Sequence, residues 1–220
     1  MDSRNEIKLS ILIATIGRRK PKFLLLLEEL FAQIVEGVEV VAYWNNGELS
    51  IGELRQKLVE DSKGEYVCFI DDDDMVPPYY VKEILKNLGQ DYVGFIVRLF
   101  NNRVEQKNAI HSLKYKTWHE DRHAYYRDVT HLNPIMRSLA IQATYKKLDA
   151  GGEDADWASQ VRPYVHSENF INRRMYFYYH DRDDSNFGGQ TFVQETYDRP
   201  SIKNPCFRWH PDSKLTNRRL

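Results

Sequence analysis

The residues best placed to do chemistry are four consecutive carboxylates, Asp71, Asp72, Asp73 and Asp74, in the stretch "GEYVCFIDDDDMVPPYY". Like charges this close raise one another's pKa and oppose folding, so the run needs either full hydration in a loop or a partner that neutralises it. A divalent cation is the simplest partner. If residues 69–73 stay extended, Asp71 and Asp73 share one face while Asp72 and Asp74 take the other. Such a pair suits Mg2+ or Mn2+, hard cations that take one or two carboxylates together with substrate phosphates. An EF-hand is excluded, because Met75 and Val76 stand where that loop needs an oxygen ligand and a glycine. A second acidic group, Glu153, Asp154 and Asp156 in "GGEDADWASQV", opens a predicted helix, where acids in the first turn satisfy free N–H groups and oppose the helix dipole.

The elements that must position these acids alternate. "KLSILIAT" reads as a buried strand, "PKFLLLLEELFAQIV" as a helix with Pro21 near its start, and "VEVVAYW" as a second strand ending in the turn "NNG". "SIGELRQKLVEDSKG" predicts a helix capped by Ser50 with Glu53 three residues on, and closed by Gly64. "EYVCFI" is a third strand and "PPYYVKEILKNL" a helix entered through prolines. Three strand–helix units in a row argue for a parallel sheet covered by helices, which binds ligands beyond the C-terminal ends of its strands. The four aspartates lie at one such end. Further on, "DYVGFIVRLF" predicts a strand, residues 101–130 an irregular functional segment, "DADWASQVRPYV" a helix and "INRRMYFYYH" a late strand.

The 220 residues fit one large domain with a real core, and a formal net charge of -1 excludes an overall basic nucleic-acid binder. Cys68 and Cys206 have neither disulfide nor metal spacing, which points to reduced thiols. No stretch reads as a signal peptide or a membrane span, so a cytoplasmic protein with no membrane partner is expected.

Together, "LSILIATIGRR", "VVAYWNNG", "LRQKLVEDSKGEYVCFIDDDDMVPP" and "GGEDADW" resemble family 2 glycosyltransferases of the GT-A fold, over about residues 8–180. The resemblance implies an α/β, Rossmann-like, mostly parallel central sheet flanked by helices in a single domain. Residues 8–100 would form the nucleotide-sugar half, 101–200 the acceptor half and 201–220 a basic tail. It implies a nucleotide-sugar donor, a UDP-sugar before others, with Thr15, Arg18, Asn45, Asn46, Arg55, Asp71 and Asp72 around it. Asn45 and Asn46 depart from the aspartates usual in that family. It implies Mn2+ or Mg2+ held by Asp73 and Asp71 with His180 as a late ligand, and Asp154 as the general base of an inverting transfer, beside Glu153. His131, Arg137, Asp156 and Trp157 would lie on the acceptor side. "HLNPIMR" followed by "GEDADW" also resembles small glycosyltransferases of phages and large DNA viruses, which would put the chain in a host cytoplasm.

The acceptor stays open between a glycan and a hydroxymethylated base in DNA, because residues 98–131 interleave cations with Tyr115, Trp118, Tyr125 and Tyr126, groups that suit either. Two other functions remain open. A sugar nucleotidyltransferase would need a glycine-rich triphosphate loop that Gly17 alone does not supply, and a non-catalytic binding module would have no use for Asp73 or Asp154.

Overall fold

In the computed structural model, residues 6–16, 19–45, 47–148, 152–180 and 207–210 are described. The order is β1 (Leu9–Ile16), α1 (Lys20–Phe31), β2 (Val38–Asn45), α2 (Ile51–Asp61), β3 (Tyr66–Phe69), α3 (Tyr80–Lys86) and β4 (Tyr92–Asn101). There follow β5 (Val104–Glu105), β6 (Ala109–His111), β7 (His119–Glu120), β8 (Tyr125–Arg127), β9 (Ile135–Met136), α4 (Arg137–Ala140), α5 (Glu153–Val161), β10 (Glu168–His180) and β11 (Phe207–His210).

All described strands join one mixed sheet in the order β11-β2-β1-β3-β9-β4-β6-β8-β7, with β10 and β5 also on β4. The long ladders, β1 with β2 and β10 with β4, are parallel, whereas β9 runs against both β3 and β4. This is the GT-A-like α/β architecture.

Alternation along the parallel strands sends side chains to two cores. Leu9, Ile11 and Ile13 join Val38, Val40 and Ala42 under Phe23, Leu26 and Leu30 of α1 and Tyr80 and Ile84 of α3. On the other face Leu12, Val41, Val67 and Phe69 meet Leu54 and Leu58 of α2 and Trp157 and Val161 of α5. A sheet covered on both sides must be apolar on both, which is why these strands read as mostly apolar runs, interrupted at Ser10 and Glu39, where Ser10 Oγ donates to Glu39 at 2.6 Å. The ends of β1, β2 and β3 that carry Thr15, Asn45 and the aspartates open on one edge.

Two expectations change. The helix α2 has its capping box at Ser50 and Glu53, but it ends at Asp61 with Ser62 after it, so Gly64 does not close it. Gly64 serves close packing instead, since a Cβ there would stand 2.6 Å from the backbone nitrogen of Ser10. Residues 101–130 are not wholly irregular: among loops and turns they carry four short strands, β5, β6, β7 and β8, that extend the sheet from β4.

Candidate functional site

β3 ends at Phe69, and the aspartates form a turn, closed by Asp74 N–H donating to the Asp71 carbonyl at 3.1 Å. Extended alternation over 69–73 is therefore corrected: the turn spreads the four carboxylates among different partners, which relieves their mutual repulsion. Asp71 meets Arg55 at 2.9 Å. Asp72 and Asp73 share Arg19, at 2.9 and 3.1 Å. Asp74 is buried, accepting from the Tyr176 hydroxyl and from Tyr179 N–H, each at 2.8 Å. The Tyr176 hydroxyl in turn accepts from Asp71 N–H at 3.0 Å, and Met75 bridges to Phe177, so β10 is pinned against the turn.

Burial opposes ionisation of Asp71, yet Arg55 and His131 outweigh it and hold this carboxyl below the usual range. Asp73 is pushed up to about 6 by burial, with Asp71 and Asp72 adding to it against the pull of Arg19. Asp72 is raised by burial, and Asp74 is raised well above the ordinary carboxylate range by burial and then by Asp71 and Asp73.

The second acidic group arrives at the same place. Gly152, with φ of 87°, turns the chain into α5, a conformation that favours glycine and explains the glycine before Glu153. Glu153 is buried and accepts from Arg55 at 2.5 Å, so one guanidinium holds Asp71 with one arm and Glu153 with the other. Burial opposes the charge of Arg55, but Asp71, Glu153 and Asp154 keep its pKa raised. Asp154 is half-buried, its side chain 35% exposed beside His131. His131 stands between the two acidic motifs, Nε2 3.8 Å from Asp71 and Nδ1 3.7 Å from Asp154. Beneath lie Phe69, edge-on to His131 and Tyr145, and Tyr145 stacked on Trp157 at 5.1 Å.

The other predicted residues lie as follows. Thr15 is buried at the end of β1. Asn45 donates to the Leu49 carbonyl and accepts from Gly47, Glu48 and Leu49 N–H, so its amide organises its own loop. Arg18 and Asn46 lie outside the described residues. Arg137 donates to the Val59 and Glu60 carbonyls and to Ser62 Oγ, closing the end of α2. Trp157 is buried in the second core, and Asp156 pairs with Lys146 at 3.1 Å. His180 ends β10 opposite Asn101 with its side chain exposed. Among the described residues no three His, Cys, Asp or Glu side chains form a metal-ready group. Sequence reasoning missed Arg19, whose only signal was the doubled arginine in "GRRK", and Tyr145 and Tyr176, which no local pattern marks.

The profile of glycosyl transferase family 2 matches residues 26–178, more than half of the chain. The chain belongs to glycosyl transferase family 2. No curated protein matches it. Among solved structures, the chain resembles S. aureus TarS 1–349 with a TM-score of 0.59 at 14% identity, over 78% of this chain and 60% of that one. The same fragment in complex with UDP-GlcNAc gives 0.60 at 14%, over 82% and 62%, and S. aureus TarS gives 0.58 at 12%, over 80% and 37%. The chain thus spans about 60% of the TarS fragment, and the likeness is one of fold. Among the described residues no helix is long and apolar enough to cross a membrane.

Proposed function

We propose that this chain transfers a sugar from a UDP-sugar to an acceptor hydroxyl with inversion, with Mn2+ or Mg2+ at the aspartate turn and Asp154 as general base. One observation carries the reading: Arg55 binds Asp71 and Glu153 at once, bringing the two acidic motifs to a single site. Glu153 is buried against Arg55, whereas Asp154 keeps its side chain 35% exposed beside His131, which makes it the carboxylate of the pair that an acceptor can reach. Asp154 takes the proton of the acceptor hydroxyl as its oxygen attacks the anomeric carbon. The anomeric C–O bond breaks on the opposite face, and its electron pair leaves with the nucleoside diphosphate.

Asp71 and Asp73 would hold the metal, which when bound offsets the charge growing on the diphosphate. Arg19, between Asp72 and Asp73, and Arg55, on Asp71, are cations at the turn that would help to hold those phosphates. TarS was crystallised with UDP-GlcNAc and with UDP, which supports a uridine donor for this fold.

The test is a melting-temperature screen against UDP-, GDP-, CMP- and dTDP-sugars with Mn2+, with Mg2+ and with chelator, since a ligand of the native state raises the melting temperature. UDP-sugars with metal should give the largest shift. Asp154→Asn should keep that shift and lower transfer by about 100- to 10,000-fold. An active Asp154→Asn enzyme would remove Asp154 from its role.

A further inference from the structure

The β6–β8–β7 extension carries chemistry that the donor site does not use. β8 lies between β6 and β7, with its root fixed: Ser112 Oγ and Leu113 N–H donate to Glu168 at 2.5 and 2.9 Å, and Arg162 holds Asp128 at 2.6 Å. Beyond that root the side chains alternate rings with cations. The Arg127 guanidinium lies 5.0 Å from the Trp118 ring and 5.6 Å from that of Tyr125, and Lys107 lies 4.4 Å from Tyr125. Tyr126 stacks on His119 at 4.8 Å and tilts against Tyr115 at 4.6 Å, with Lys114 5.7 Å from the Tyr115 ring.

In this stretch Lys107, Lys114, Lys116, Arg122 and Arg127 face only Glu120 and Asp121, in a chain whose formal net charge is -1. Glu120 is paired with Lys107, and Asp121 accepts from His123 and Ala124 N–H and from the Tyr126 hydroxyl. Lys114, Lys116 and Arg122 stay exposed, and Trp118 is 48% exposed with Arg127 against it. A glycan would use the open ring but has no need for the cations. Phosphates with stackable bases use both. The surface is also near the site: His131 follows Arg127 by four positions, a span of at most roughly 14 Å.

We propose that this outer surface docks a single-stranded nucleic acid, its phosphates met by Lys116 and Arg122 and a base stacked on Trp118. Docking is independent of donor chemistry; that it presents an acceptor to Asp154 rests on the transferase reading above.

The experiment is fluorescence anisotropy of the full chain with a labelled oligothymidylate of about 16 nucleotides over a salt series. Binding should weaken steeply with salt. Trp118→Ala should weaken it about tenfold, the scale of one lost base stack. Lys116→Ala with Arg122→Ala should make the salt slope shallower by about 1.4, the value for two phosphate contacts on a single strand. Each variant's melting temperature checks its folding, and both changes lie on exposed side chains. No binding at low salt, or binding unmoved by both sets of variants, overturns the proposal. So does polyphosphate binding as tightly as the oligonucleotide, or a neutral oligosaccharide displacing it, which would make this a glycan surface. UDP binding, measured on the same wild-type preparation, keeps the two readings apart: UDP bound without oligonucleotide overturns only the docking surface, and the reverse overturns only the donor site.

Discussion

The aspartate turn and the β6–β8–β7 extension are both crowded with charge, but they manage it in opposite ways. At the turn the charges are withdrawn from water and each has an assigned partner: Arg55 for Asp71 and Glu153, Arg19 for Asp72 and Asp73, Tyr176 and Tyr179 for Asp74. Along the extension Lys107, Lys114 and Arg127 lie over rings at the surface, where water and salt screen them. Buried pairs fix positions and are hard to break, which suits a site that must align reacting groups. Exposed cations over rings can exchange partners at little cost, which suits a surface for a long, variable ligand.

If this contrast is right, the heaviest single loss comes from Arg55. Arg55→Met should destabilise the fold by about 3–5 kcal/mol by leaving Asp71 and Glu153 buried without a counter-charge. Denaturant unfolding reads this, and a loss under about 1 kcal/mol would mean that the bridge is a surface pair after all.

The extension's root should behave like the turn, not like its own tip. His111 is buried, its Nδ1 2.7 Å from the Asn133 side-chain oxygen, and burial pushes its pKa from 6.5 down to about 4. The unfolded chain therefore takes up this proton at a higher pH than the folded one. The contribution is complete above pH 6.5 and is lost as pH falls toward 4, by up to about 3 kcal/mol. Melting temperature against pH in His111→Gln should have a flatter slope through that window than wild type. An unchanged slope would place this histidine in contact with water.

The smallest effect is expected where a buried group is carried by an exposed cap. Ser50 and Glu53 close the start of α2, the helix that bears Arg55. Ser50→Ala should lower stability by only about 1 kcal/mol, a shift of about 2–4 °C in a chain of this size. A much larger fall in UDP affinity than in melting temperature would show that the cap positions Arg55.

Much of the first half was legible because burial there follows a simple period. Mostly apolar runs gave β1, β2 and β3, helical spacing gave α1, and Ser50 with Glu53 marked the start of α2. The turn at Asp71 was not legible in its geometry, since alternation holds only while a strand continues, and β3 stops at Phe69. Its partners come from far along the chain: Tyr176 reaches Asp74 across 102 positions, a pairing no local pattern encodes. Arg137 and Trp157 stand beside acidic or polar motifs in sequence, yet one closes α2 and the other fills the core, because neighbours in sequence face different ways once the chain folds. The extension was read as irregular because strands of two or three residues carry too few positions to show a period.

The central claim is that the aspartate turn binds the diphosphate of a uridine donor together with a divalent cation. Isothermal titration of UDP with Mn2+ into the wild-type chain and into Asp73→Asn tests it most directly. The account predicts binding in wild type that chelator abolishes, and an affinity lower by about tenfold or more, some 1.4 kcal/mol, in Asp73→Asn. Equal binding by both proteins, with or without chelator, would contradict it.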